Sequence, residues 1–253
     1  MKPILIKIGP ATIYSWGVMF VLAFAIGFVI AIREGKRKNI PQEEVTNLAL
    51  YLLVGGLVFA RLIFAIFNAP LFYLNDPWRI FMIWEGGLAF HGALLGGILA
   101  GYLFSRVSKI PLGKLADLVT PSLALGLAIG RIGCFLGGHC EGVATNLPWA
   151  VNFPGLVGRR HPTQLYELVL DLGVFIFLWA RRDKIKFDGH LFLVYLILYS
   201  FVRMFVEIFR DSQALFGPVT YAQGISALII VGASLIIRRH TKVSAQVSSQ
   251  ASH

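Results

Sequence analysis

Polar positions cut the chain into seven long apolar stretches. They cover about 13–32, 46–67, 86–105, 117–136, 164–180, 190–209 and 219–237. A helix that crosses a bilayer needs about 20 mainly apolar residues, and each stretch is of that order. The fifth is the shortest and carries Glu167 and Asp171 at its start. Segment 69–83 is apolar too, but Pro70 and Pro77 break it, with Asn75 and Asp76 between them. That pattern predicts an interfacial segment rather than an eighth span. The expected fold is an all-α integral membrane protein with seven transmembrane helices.

Composition agrees. Apolar residues make up 57% of the 253 and charged residues 14%, against about 25% charged in an ordinary soluble domain. A soluble globule this apolar would expose large sticky patches, and a disordered chain would be far more polar. Two cysteines, Cys134 and Cys140, do not make a disulfide scaffold.

The net charge of +10 would suggest nucleic acid in a soluble protein. The positions of the charges exclude that partner here and point to anionic headgroups. Loops 33–45, 106–116 and 181–189, with the tail from 238, hold fourteen of the 23 Lys and Arg, and the opposite loops hold six. The positive-inside rule makes the richer side cytoplasmic. The N-terminus is then outside (periplasmic), the C-terminus cytoplasmic, and loops 68–85 and 137–163 lie on the outer face. The first span is too long, with the wrong flanks, for a cleaved signal peptide. Residues 1–240 read as a single polytopic membrane domain. Residues 241–253, rich in Ser, Ala and Gln, read as a disordered cytoplasmic tail.

Three basic residues remain inside spans: Arg61, Arg131 and Arg203. A charge at bilayer depth costs roughly 2.5–3.5 kcal/mol on insertion scales, so the default reading is a functional site. Tyr14 begins the first span and His91 lies in the outer third of the third. Arg203, Glu207 and Arg210, spaced by four and three, share a helix face. All these groups fall in outer halves of spans, and the inner halves are nearly bare. That argues for a cavity open to the outer leaflet and closed below.

Each residue also has a plainer reading. Arg203–Glu207 could be a structural ion pair, Arg61 could snorkel to the headgroups, and Tyr14 could be an interfacial belt aromatic. A lone His91 could be a packed, hydrogen-bonded histidine, although Gly86, Gly87 and Gly92 around it suit ligand access. Arg131 sits between Gly130 and Gly133, where snorkelling would be crowded. Several arginines in a dry pocket suit a phosphate, which the guanidinium fork binds bidentately. A neutral imidazole beside them is a candidate general base. The set points to transfer chemistry on a phospholipid, with phosphate as leaving group.

Four runs then carry a resemblance. They are Trp84-Glu85-Gly86-Gly87-Leu88-Ala89-Phe90-His91-Gly92, Gly130-Arg131-Ile132-Gly133-Cys134-Phe135-Leu136, Arg160-His161-Pro162-Thr163-Gln164-Leu165-Tyr166-Glu167, and Arg203-Met204-Phe205-Val206-Glu207-Ile208-Phe209-Arg210. In content and order they resemble the bacterial prolipoprotein diacylglyceryl transferase family, from Tyr14 to Arg210. The sequence departs at Cys134, where the family often has Asn, and in the run Gly137-Gly138-His139-Cys140-Glu141 that follows.

The resemblance implies transfer of the diacylglyceryl group of phosphatidylglycerol to the lipobox cysteine of a prolipoprotein signal peptide. A thioether forms and glycerol-1-phosphate leaves. It implies a multi-pass protein of the bacterial inner membrane, with its active site in the outer half of the bilayer. No metal or organic cofactor is expected. Arg131 and Arg203 would hold the phosphate and stabilise its departure, and His91 would take the thiol proton. A thiol acidified by the arginines, losing its proton to phosphate or water, is the competing route. Tyr14, Arg61, Glu207 and Arg210 complete the substrate-binding set, with Glu207 orienting Arg203. The acceptor peptide would enter between spans past Gly92, Gly96 and Gly97.

Other readings of the same residues are an anionic-lipid transporter or flippase, or a non-enzymatic lipid-binding assembly factor. A transporter would want polar groups through both leaflets and often an internal repeat; neither is evident. A lipase would want a Gly-x-Ser-x-Gly turn, which is absent. Cys134, His139 and Cys140 admit a zinc reading with no fourth ligand. They also admit a Cys134–Cys140 disulfide on an oxidising outer face.

Overall fold

The computed structural model describes residues 1–8, 11–68, 70–82, 86–210, 212, 214–216 and 219–250. Trp84 and Glu85 of the first motif, and 251–253 of the tail, lie outside the described residues.

The chain opens with a hairpin, β1 (Ile4–Ile8) and β2 (Ala11–Tyr14), and enters α1 (Ser15–Arg37) and α2 (Gln42–Asn68). A short α3 (Pro70–Asn75) and a 3-10 helix (Pro77–Phe81) lead to α4 (Phe90–Ser108) and α5 (Leu112–Gly137). The hairpin β3 (Val151–Asn152) and β4 (Arg159–Arg160) precedes α6 (Thr163–Arg181) and α7 (His190–Glu207). The hairpin β5 (Ala214–Phe216) and β6 (Val219–Thr220) precedes α8 (Tyr221–Gln250). Seven of these helices are long and apolar enough to cross a membrane. They match the seven expected spans, and the proline-broken segment forms two helical pieces too short to cross a membrane.

Three details differ from the sequence reading. Tyr14 ends β2, paired with Ile4, instead of opening the first helix. α7 stops at Glu207, so Arg210 stands in the turn beyond it, its N–H donating to Glu207 O at 3.1 Å. α8 runs on to Gln250, through most of the segment read as a disordered tail. Extending an existing helix costs far less than starting one, and Ala and Gln extend it well.

Packing divides the chain into two compact units, Ile32–Leu115 and Met1–Ala31 with Ala116–His253. In the first, α2 and α4 meet along a seam of small residues. A Cβ on Gly96 would overlap Gly55 O, and one on Gly92 would overlap Phe59 O. Without water to drive apolar faces together, such close backbone approach is what joins helices in lipid. Gly92 and Gly96 are therefore filled by α2 and do not line an opening. Gly97 alone of the three meets nothing within 4 Å.

In the second unit, Ala124, Val174, Leu178, Leu191, Tyr195, Val202 and Val206 bring α5, α6 and α7 into one core. α7 starts behind Gly189, with no capping side chain of its own. Asp117 of α5 supplies the cap, accepting from Gly189 N at 2.9 Å and Phe192 N at 3.0 Å. These carboxylate contacts satisfy orphan donors of the helix start and fix α7 lengthwise against α5. The register of the arginines at the opposite end follows from that.

Candidate active site

At the end of this unit opposite Asp117, a cap gathers the last turn of α5, the first of α6 and the last of α7. Gly142 N donates to His161 O (2.9 Å), His161 N to Val143 O (3.1 Å) and Val143 N to Phe209 O (2.9 Å). Gly142 is required sterically, since a Cβ there would run into Phe209 O and the His161 side chain. Thr163 Oγ1 holds Cys140 O at 2.6 Å, and Gln164 Nε2 holds His139 O at 2.6 Å. The Tyr166 hydroxyl receives Trp149 Nε1 at 2.8 Å and contacts His161 Nδ1 at 3.1 Å. The run Arg160–Glu167 thus builds the cap with its first members and enters the cluster below it with its last.

Three arginines from three places in the chain converge there on one carboxylate. Arg131 Nε lies 2.9 Å from Glu167 Oε2, Arg203 Nη1 3.2 Å from Oε1, and Arg210 Nη2 3.1 Å from Oε2. Arg203 Nη2 also lies 2.8 Å from Glu207 Oε2. Glu207 Oε1 accepts from Thr220 Oγ1 at 3.0 Å. The Glu167 and Glu207 side chains are 2% and 1% exposed, whereas Arg131, Arg203 and Arg210 keep 15%, 24% and 13%. The carboxylates are sealed and the guanidiniums keep an open edge. Arg131 Nε and Arg210 Nε are buried without an aligned hydrogen-bond acceptor. Gly130, beside Arg131, faces open space. The guanidiniums keep donors to spare, as an anion site requires.

Arg131, Arg203, Glu207 and Arg210 are thus brought together. Tyr14 is not joined to them by any hydrogen bond or ion pair among the described residues, and its side chain is exposed. His91 is the second residue of α4, exposed, with its ring edge-on to Phe90 at 5.8 Å. No hydrogen bond holds its ring among the described residues.

Arg61 is different again. Its guanidinium donates to Ile80 O (3.0 Å), Arg79 O (2.6 Å), Met82 O (2.9 Å), Gly87 O (3.3 Å) and, closely, Gly86 O. It is 3% exposed and lies 5.1 Å from the Tyr73 ring centroid. Its donors are used up on backbone that leads into α4. It neither snorkels nor offers a free fork to a phosphate.

Sequence reasoning did not single out Glu167 as the centre, nor Thr220, Thr163 and Gln164 as its supports. An acid at a span start was visible for Glu167, and Thr163 and Gln164 lie in the third resemblance run; Thr220 carried no distinguishing signal. Asp171, one turn further along α6, is 2% exposed with Oδ2 unpartnered. Among the described residues no group of three or more His, Cys, Asp or Glu is placed to hold a metal ion. Both cysteines are free thiols.

The family model for prolipoprotein diacylglyceryl transferase matches residues 3–238. The chain belongs to this family. It is 39% identical over 217 residues to the phosphatidylglycerol–prolipoprotein diacylglyceryl transferase of Clostridioides difficile, covering 86% of each chain. It is 38% identical over 241 residues to the protein of that name from Trichormus variabilis, covering 88% of this chain and 84% of the relative. Against the Geobacter sulfurreducens protein of that name the figures are 34% over 246 residues, 94% and 95%. The three-arginine cluster therefore sits within a match that runs almost end to end.

Proposed function

We propose that this membrane protein transfers the diacylglyceryl group of phosphatidylglycerol to the thiol of a prolipoprotein's lipobox cysteine. The observation that carries the reading is the convergence of Arg131, Arg203 and Arg210 on Glu167, with open guanidinium edges. In this reading the substrate phosphate docks on the free edges of Arg131 and Arg203. The acceptor sulfur attacks the glycerol carbon that bears the phosphate oxygen. An S–C bond forms, the C–O bond breaks, and glycerol-1-phosphate departs with the electron pair. Positive charge already in place stabilises the developing phosphate dianion without reorganisation. His91, exposed and with no ring hydrogen bond among the described residues, takes the thiol proton. Tyr14 contacts the headgroup from the hairpin. Arg61 belongs to the binding site indirectly, by fixing the backbone that leads to His91. The basic loops support an outward N-terminus and a site in the outer leaflet of the bacterial inner membrane.

The test uses purified protein in phosphatidylglycerol vesicles with a lipobox peptide. Peptide mass and glycerol phosphate release are followed together. Wild type is expected to give a diacylglyceryl mass gain with one glycerol phosphate per product. Arg131→Ala and Arg203→Ala are each expected to lower kcat/KM by about 100- to 1,000-fold, the usual effect of losing one preorganised donor. His91→Gln is expected to lose about 100-fold or more. Full activity in His91→Gln would remove the base assignment alone. No thioether product from folded wild type would overturn the reading.

A further inference from the structure

α7 ends at Glu207, so Arg210 reaches the cluster from a turn and no helix carries it. Its Nη2 still lies 3.1 Å from Glu167 Oε2 and donates to Cys140 O at 3.4 Å. The residues that set this pair stand one position before each of its members, Phe209 before Arg210 and Tyr166 before Glu167. Their rings meet edge-on at 5.6 Å between centroids. The His161 ring closes a triangle with them, 5.1 Å from Phe209 and 6.0 Å from Tyr166. Aromatic pairs favour such edge and tilted contacts over a face-to-face sandwich. The backbone around the triangle is tied down as well. Phe209 N donates to Val206 O at 3.0 Å, and Phe209 O accepts from Val143 N at 2.9 Å. His161 N donates to Val143 O at 3.1 Å, and His161 O accepts from Gly142 N at 2.9 Å.

The polar atoms fix how the triangle is oriented. Trp149 Nε1 can only donate, and it gives its proton to the Tyr166 hydroxyl oxygen at 2.8 Å. The hydroxyl proton is then left for His161 Nδ1, 3.1 Å away. This assignment satisfies all three groups and puts the imidazole proton on Nε2. His161 is 8% exposed, so loss of the hydroxyl would leave a buried acceptor without its partner.

We propose that Tyr166 and His161 are positioning residues for Arg210, their hydroxyl–imidazole bond locking the ring triangle that seats Phe209 and so aims the Arg210 guanidinium at Glu167. They act on the phosphate through Arg210 alone. Their loss should therefore weaken lipid binding and spare the chemical step. The effect on activity rests on the transferase reading, whereas the seating of Phe209 and Arg210 does not.

Two measurements on the full-length protein in phosphatidylglycerol vesicles test this. Hydrogen exchange with mass spectrometry follows peptides spanning 205–210. Tyr166→Phe, which keeps the ring, and His161→Leu are each expected to speed exchange there about two- to tenfold, the worth of one hydrogen bond. In the transfer assay the same variants should raise KM for the lipid about two- to tenfold, with kcat unchanged. His161→Asn places an amide oxygen where Nδ1 stands, and it should recover most of both losses. The coupling is read from backgrounds. With Arg210→Gln present, Tyr166→Phe should change KM by less than about twofold, because residues acting through one another do not add. With Thr220→Val present, which touches Glu207 instead, the two effects should multiply. Wild-type exchange and KM in Tyr166→Phe would overturn the inference. So would a fall in kcat at constant KM, or full multiplication with Arg210→Gln. Should wild type form no thioether, the transfer reading fails, while hydrogen exchange still decides whether the lock exists.

Discussion

Two regions of this chain bury arginine, and they treat the charge in opposite ways. Among the described residues Arg61 pairs with no carboxylate. Its donors end on five backbone carbonyls between Arg79 and Gly87, with Tyr73 against one side. The carbonyl dipoles replace water around the cation, and nothing is left for a ligand. Arg131, Arg203 and Arg210 instead share the carboxylate of Glu167, and Arg203 draws on Glu207 as well. Each keeps an exposed edge, and two Nε atoms lack an aligned acceptor. The first arrangement is a fastening and the second a receptor. The separation lies in how many donors the protein itself consumes.

The sharpest way to break the comparison is to remove the shared acceptor. Glu167→Gln keeps the side chain's shape and deletes its charge. Arg131, Arg203 and Arg210 would then lose their shared counter-ion, while Arg203 keeps its pairing with Glu207. Breaking a buried pair by removing one partner costs about 3–5 kcal/mol, so both folding stability and site geometry should suffer. The expected loss in kcat/KM is about 100-fold or more, with a lowered midpoint of thermal unfolding. Glu167→Asp, which retains the charge at shorter reach, should recover part of each. Wild-type activity in Glu167→Gln would mean that the arginines hold their places without a common centre.

The next effect tests the fastening. Arg61→Lys retains a positive charge but replaces a planar fork by a point donor that cannot reach five carbonyls. Carbonyls left buried without partners cost about 1–3 kcal/mol each. The segment from Arg79 to Gly87 should become sensitive to protease in detergent or vesicles. Transfer should fall about tenfold, through loss of order before α4 and His91. A pure phosphate ligand would behave otherwise: Arg61→Lys would raise KM for the lipid and leave the segment protected.

Much of this architecture was legible in the sequence. Spans announce themselves because a bilayer demands some twenty apolar residues in a row, a local and countable property. The Arg203–Glu207 pair was legible for the same reason, because an offset of four on a helix fixes neighbours. What depended on distant contacts was not. Glu167 meets Arg203 across 36 residues and Arg210 across 43, and no periodicity encodes such a meeting. Arg61 looked like a site or a snorkelling residue because its partners are backbone carbonyls, which every residue possesses. The hairpin that ends at Tyr14 escaped because strands of five and four residues are too short for alternation to stand out beside a long apolar run. Gly92 and Gly96 read as lateral access because small residues mark close approach without saying what approaches.

The smallest effect lies at Thr220, where two roles meet in one hydroxyl. Thr220 precedes α8 and forms a capping box with Gln223. Its Oγ1 accepts from Gln223 N at 3.3 Å, while Gln223 Oε1 accepts from Thr220 N at 3.1 Å. The same hydroxyl donates its proton to Glu207 Oε1 at 3.0 Å. The start of α8 is thereby tied to the carboxylate that steadies Arg203. Thr220→Val removes both contacts while keeping the volume. A typical hydrogen bond is worth ~0.5–1.5 kcal/mol, which predicts a two- to tenfold fall in kcat/KM. Thr220→Ser should restore nearly all of it. Gln223→Ala separates the roles, since it weakens the cap and leaves the hydroxyl free to donate to Glu207. If Gln223→Ala lowers activity as much as Thr220→Val, the contribution is helix capping alone. If it lowers only stability, the Thr220–Glu207 bond belongs to the support of the arginine site.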